Sequence, residues 1–216
     1  MSNGVATTLR ALFDAIARWE PSLAGRLSRM GTAEPIDARP GLEQLAVLHA
    51  VTSGEIVAPN AMPLGVCGGL QLLGREGCIA ARAAWGPLER VAGDVDAIAM
   101  PGGRYRSVPP GAVRDVYFSM GWFPVLAEPF EANYVAVDST PGPAGHAGQM
   151  VIVGRDEETH TVVAPDLTTL LEVLRAQVEA GEWELVAASG PRQPAHVRHR
   201  EGRLASVLAR RAVGAP

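Results

Sequence analysis

The sequence predicts a mixed fold in which helices pack around one mostly antiparallel sheet of five or six strands. Three observations carry this. Between Val113 and Val163, five short runs rich in Val, Ile, Thr and aromatic residues are bounded by Gly, Pro or Asp. The links between those runs are 3 to 11 residues long, whereas a parallel crossover needs about a dozen or more. An amphipathic helix follows the last run directly, from Asp166 to about Ala180.

Each element can be justified in order. Leu9, Leu12, Phe13 and Ile16 recur at helical spacing, with Trp19 extending the stripe and Thr7 or Thr8 as cap. Pro21 stops that helix and can open a second, with Leu23, Leu27 and Met30 inward and Gly31 at its end. A third runs from about Leu42 to Val51, carries Leu45, Leu48 and His49 near one face, and ends near Gly54. Residues 55–74 read as loops with one short strand around Leu70 to Leu73, and 75–85 as a helix ending at Trp85-Gly86. Residues 87–112, with Pro101-Gly102-Gly103 and Pro109-Pro110-Gly111, read as loop. The sheet segments are then Val113–Phe118, Trp122–Leu126, Asn133–Val137, Gln149–Val153 and Thr159–Val163, a meander expected to have one face on the core and one partly wet. Asp166 caps the long helix, Gly181 ends it, and Leu167, Leu170, Leu171, Leu174 and Val178 form its buried stripe. Trp183 is expected to cover the seam between that helix and the sheet.

Composition narrows the function. Hydrophobic residues make up 47% of the 216 and charged residues 19%, which excludes intrinsic disorder as the main state. All 19 basic residues are arginine, so no amine is present for a P-loop or a Schiff base. Residues 1–189 hold 13 Arg against 22 Asp and Glu, a net charge of −9; residues 190–216 hold six Arg and one Glu, a net +5. An acidic body argues against a main nucleic-acid surface. In the basic tail, residues 196–213 can form a short helix with Leu204, Val207 and Leu208 on one side, either frayed or docked. No secretory leader pattern opens the sequence and no apolar run is long enough to span a bilayer, so a cytoplasmic protein is expected. Cys67 and Cys78 are then reduced, buried thiols; their spacing fits no common zinc pattern. The Gly65-Val-Cys-Gly-Gly stretch lacks the Lys and Ser/Thr of a phosphate loop and reads as backbone turns.

Trp122-Phe-Pro-Val-Leu, Asn133-Tyr-Val-Ala-Val-Asp138 and Pro141-Gly-Pro-Ala-Gly-His-Ala-Gly-Gln149-Met-Val-Ile together resemble the SUKH superfamily, specifically its Smi/Knr-type branch of cell-wall assembly and glucan-synthesis regulators. Gly154-Arg-Asp, Val162-Val-Ala-Pro and the following helix match in order, and the likeness runs over roughly residues 8–185. Ala132 stands where the family has Gly, and residues 94–112 have no clear counterpart. The resemblance implies a single α+β domain over 1–189 with 190–216 as a basic extension. It implies a protein that binds other proteins, without catalysis, cofactor or metal. Bacterial members resemble immunity proteins that neutralise a toxin; fungal members resemble cell-wall regulators. Gly54, Pro124, Gly142, Gly145 and Gly148 fall on structural motif positions.

The candidate partner-binding residues are Trp122, Asn133, Tyr134, Asp138, His146, Asp156, Glu157 and Glu158. Each also has a structural role open to it. Asp138 can accept amide hydrogens from Gly142 or Gly145 in the long turn. Trp122, Phe123 and Tyr134 form either core and cross-strand pairs or an aromatic anchor for a partner. Asn133 either bonds a neighbouring loop or points into a pocket. Asp156-Glu157-Glu158 is a solvated hairpin turn or a contact for a basic partner, such as a cognate toxin steered by charge. Two other functions are weighed against protein binding: a hydrolase-like site using Asp138 and His146, and nucleic-acid binding through the tail.

Overall fold

A computed structural model describes residues 3–59, 61–84, 97–98, 105–129, 133–154, 156–190 and 194–214. Its helices and six-stranded, mostly antiparallel sheet make one α+β arrangement. The central strands are β5 (Trp122–Ala127), β6 (Asn133–Asp138), β7 (Gln149–Gly154) and β8 (Thr159–Ala164). They pair antiparallel in chain order, as the short links require. β1 (Gln71–Leu72) joins β5 at one edge, and β3 (Arg106–Val108) lies parallel to β8 at the other. The register between β5 and β6 slips between Pro124 and Leu126. Proline donates no ladder bond, so a bulge is where a strand tolerates it.

Two expectations about the sheet are corrected. Every residue of β5, β6 and β7 is buried, so neither face is wet. Phe123, Val135, Val137, Met150 and Ile152 face the main core; Trp122, Tyr134, Ala136, Val151 and Val153 face a second one, closed by Leu73, Val113 and Phe118. Near-continuous apolar strands such as Met150-Val-Ile-Val are the pattern of burial on both faces. Second, Val113–Phe118 is not a strand: only Phe118–Ser119 is extended, as β4, and it pairs with β2 (Ala97–Ile98). Val113 instead folds back, its amide donating to the Ser107 hydroxyl at 2.8 Å, and packs as a core residue. β3 arises inside the segment expected to be loop; three residues on a sheet edge leave almost no periodic signal. Of that segment residues 97–98 and 105–112 are described; the rest, with the end at Trp85-Gly86, lies outside the described residues.

Helix α1 (Asn3–Trp19) starts a turn before the expected threonine caps. Val5, four residues before Leu9, is fully buried and extends the stripe N-terminally. The second helix is only a 3-10 turn, Pro21–Arg26, opened by Glu20, whose carboxylate accepts from the Ser22 amide and hydroxyl. Leu27 then turns extended to bridge Glu55, which leaves Met30 81% exposed rather than inward. α2 (Glu43–Val51) buries Leu45, Leu48 and His49 as expected, and α3 (Arg75–Ala83) follows β1. α4 (Leu167–Glu179) is capped by the Asp166 carboxylate on the Thr169 amide at 2.7 Å, and Gly181 leaves it at φ +71. Its whole leucine stripe is buried, packed chiefly on α1 rather than on the sheet alone. Both cysteines are free and fully buried.

The tail is docked. β9 (Trp183–Val186) pairs with β10 (His196–His199), and α5 (Leu204–Ala212) follows. Val197, Leu204, Ala205 and Leu208 enter the main core, and Trp183 meets Trp19 edge to face at 6.2 Å. Among the described residues no helix is long and apolar enough to cross a membrane.

Candidate functional site

The structure sorts the predicted residues into an internal latch, a buried aromatic layer and an exposed rim. The latch sits where β6 and β7 end. Asp138 and Gln149 are cross-strand partners, so both side chains project from the same face. The fully buried Asp138 accepts from the Thr140 amide at 3.0 Å and from Gln149 Nε2 at 3.1 Å. It does not accept from Gly142 or Gly145, whose amides go to Ala112 O and Gly142 O. Gln149 Nε2 also donates to Ala112 O at 2.8 Å, and its Oε1 accepts from the His146 amide at 3.3 Å. Burial pushes the Asp138 carboxyl up to about 6, only partly offset by these hydrogen bonds and by Arg114 and His146 nearby.

His146 is exposed, and its Nε2 donates to Pro165 O at 2.8 Å. No hydrogen bond joins it to Asp138 among the described residues, so the acid–base pair of the hydrolase alternative is not assembled. The Ser119 hydroxyl is bonded to Thr140 Oγ1 at 2.9 Å. The glycines of the turn serve packing. A Cβ on Gly142 would stand 2.3 Å from Gly111 O, and one on Gly145 2.1 Å from Ala112 O. Gly148 rests against Gly41, and Gly54 bridges Leu73.

Trp122, Phe123 and Tyr134 are interior residues, so an aromatic anchor at the surface is corrected to core packing. Trp122 meets the buried His160 edge to face at 4.9 Å, and Tyr105 stacks on the same imidazole at 5.3 Å. Desolvation pushes His160 and His49 down to about 4, so both are neutral at pH 7. Among the described residues no cluster of His, Cys, Asp and Glu is arranged to hold a metal ion.

The rim is built from residues far apart in sequence. Buried Asn133 donates to Glu128 Oε2 at 3.2 Å and accepts from the Asp156 amide at 3.2 Å, which is the loop-bonding role open to it. Arg203 grips Glu128 with two contacts, Nε to Oε1 at 3.0 Å and Nη2 to Oε2 at 2.6 Å, and reaches Glu157 at 3.4 Å. Thus Asn133, Asp156 and Glu157 gather around Glu128, while Asp156 and Glu158 keep exposed side chains. Glu128 and Arg203 were not singled out from the sequence. The only hints were an isolated acid after an all-apolar strand and an Arg before the Leu204 stripe.

Beside this rim opens an apolar groove of about 590 Å³, walled by Met62, Leu64, Leu70, Val186, Val197 and Leu204. Its 64–66 wall is shaped by the buried Glu55 carboxylate, which accepts from the Leu64 amide at 2.6 Å and the Val66 amide at 3.2 Å. Burial nonetheless raises the Glu55 pKa. The Gly-rich stretch forms the turns expected of it. Gly68 (φ +65) passes so close to Trp183 and Leu204 that a Cβ would stand 2.9–3.0 Å from them. Four of the tail's arginines face carboxylates: Arg198 faces Glu184, Arg203 Glu128, Arg210 Glu201 and Arg211 Glu182. Those ion pairs reduce the uncompensated positive charge that a nucleic-acid surface would draw on.

No family profile matches the chain. It is similar to curated fungal regulators over a limited stretch. It is 45% identical over 80 residues to a cell wall biosynthesis/cell cycle regulator of Schizosaccharomyces pombe, covering 37% of this chain and 16% of that protein. It is 37% identical over 81 residues to a cell wall assembly regulator of Saccharomyces cerevisiae, covering 38% and 16%. A glucan synthesis regulatory protein of Neurospora crassa is 38% identical over 77 residues, covering 36% and 14%. The matched stretch therefore spans less than a fifth of the length of these relatives.

Proposed function

We propose that this chain is a non-enzymatic regulator of the Smi/Knr (SUKH) type that acts by binding another protein, a reading supported by its similarity over about 80 residues to fungal cell-wall regulators. The observation that carries this is the convergence of Asn133, Glu128, Glu157 and Arg203 beside the apolar groove. Interfaces combine an apolar centre with a polar, solvent-accessible rim; here Arg203, Asp156 and Glu158 are the exposed rim, and the buried Asn133 and Glu128 hold it in place. Asp138 and His146, which a hydrolase would use, make separate hydrogen bonds, the buried Asp138 to Thr140 and Gln149 and the exposed His146 to Pro165 O. In this reading residues 1–189 form the family-like unit, and the extension 190–216 completes one wall of the groove.

The names of the relatives favour a role in cell-wall assembly or glucan synthesis. The immunity role, occluding a toxin, draws support from the acidic charge of residues 1–189. A basic toxin would be steered to the exposed Asp156 and Glu158. Both roles place the protein in the cytoplasm.

The test uses tagged full-length protein as bait in its native lysate, beside the Glu158→Arg and Met62→Asp variants. A single partner retained by the parent and lost by Met62→Asp supports the groove. Loss with Glu158→Arg, together with salt-sensitive capture, supports a basic partner. Equal capture by all three baits overturns the assigned surface, and turnover of a small molecule by the purified protein overturns the function.

A further inference from the structure

We draw no further inference here: the strongest candidate, the apolar groove between the 62–70 loop, the β9–β10 hairpin and the start of α5, belongs to the site already described, and nothing in the structure shows which segment covers it.

Discussion

Arg203 and Glu128 are 75 positions apart in the chain, yet the guanidinium Nη2 stands 2.6 Å from the carboxylate Oε2. The contact joins the start of α5 to the end of β5. Glu128 is 9% exposed, whereas the Arg203 side chain is about half exposed. Removing the arginine strands a nearly buried carboxylate that still receives Asn133. Arg203→Ala is therefore expected to lower stability by about 1–3 kcal/mol, and Glu157→Gln, at the longer contact, by less than about 1 kcal/mol. Urea denaturation midpoints measure both, and equal effects would remove Glu128 from the centre of the cluster.

Glu55 makes a local prediction. Its carboxylate is the acceptor for the amides of Leu64 and Val66. Glu55→Ala leaves two amides without an acceptor, at about 1–3 kcal/mol for each that stays buried. Hydrogen exchange should accelerate at Leu64 and Val66 first, ahead of β6 and β7. Uniform acceleration across the sheet would mean that the carboxylate supports the whole fold rather than one wall of the groove.

Acid stability follows from buried groups with opposing signs: His49 and His160 on one side, and on the other Asp138 and Glu55, whose carboxyls burial raises. His49 and His160 titrate at about 4 in the fold against an ordinary 6.5. Their contribution is present above pH 6.5 and is lost as pH falls toward 4. By linkage each costs about 2 kcal/mol on going from pH 7 to 5. Asp138 is raised from 3.8 to about 6, so the folded state binds its proton first and gains about 1 kcal/mol over the same interval. The two histidines together outweigh Asp138, so the protein should be less stable at pH 5 than at pH 7, with Glu55 reducing the difference. His160→Phe should flatten that slope, and Asp138→Asn should steepen it. Denaturation curves at the two pH values decide, and an unchanged slope in His160→Phe would rule out a neutral buried imidazole.

Truncation after residue 195 should unfold the protein rather than trim it. Val197, Leu204, Val207 and Leu208 are all at most 2% exposed. At about 1.5–3 kcal/mol for each buried side chain they contribute about 6–12 kcal/mol, comparable with the whole stability of a domain. Loss of the cooperative thermal transition is the expected result. A folded truncate would show that the tail is an accessory.

The four long strands, the Asp166 cap and the leucine stripe of α4 were legible in the sequence because their signals are local. β-rich runs between turn formers, capping residues and helical spacing act within a few positions. Met30 shows the limit: its spacing from Leu23 and Leu27 fits a helix face, but the bridge from Leu27 to Glu55 ends the helix first. Val113 shows another, since a β-rich run was claimed by a turn onto Ser107.

The sequence alone determined that β6 and β7 would be consecutive antiparallel strands, because the link between them is too short for a crossover. The register that sets Asp138 opposite Gln149 belongs to the structure, since near-continuous apolar strands carry no alternation to fix it. Only the tertiary structure decided that Trp122 and Tyr134 lie inside, because the layer that covers them comes from chain segments without a periodic pattern. It also decided that Glu128 and Arg203 meet. An ion pair between distant positions depends on how two packed layers are superposed, and no local propensity encodes that.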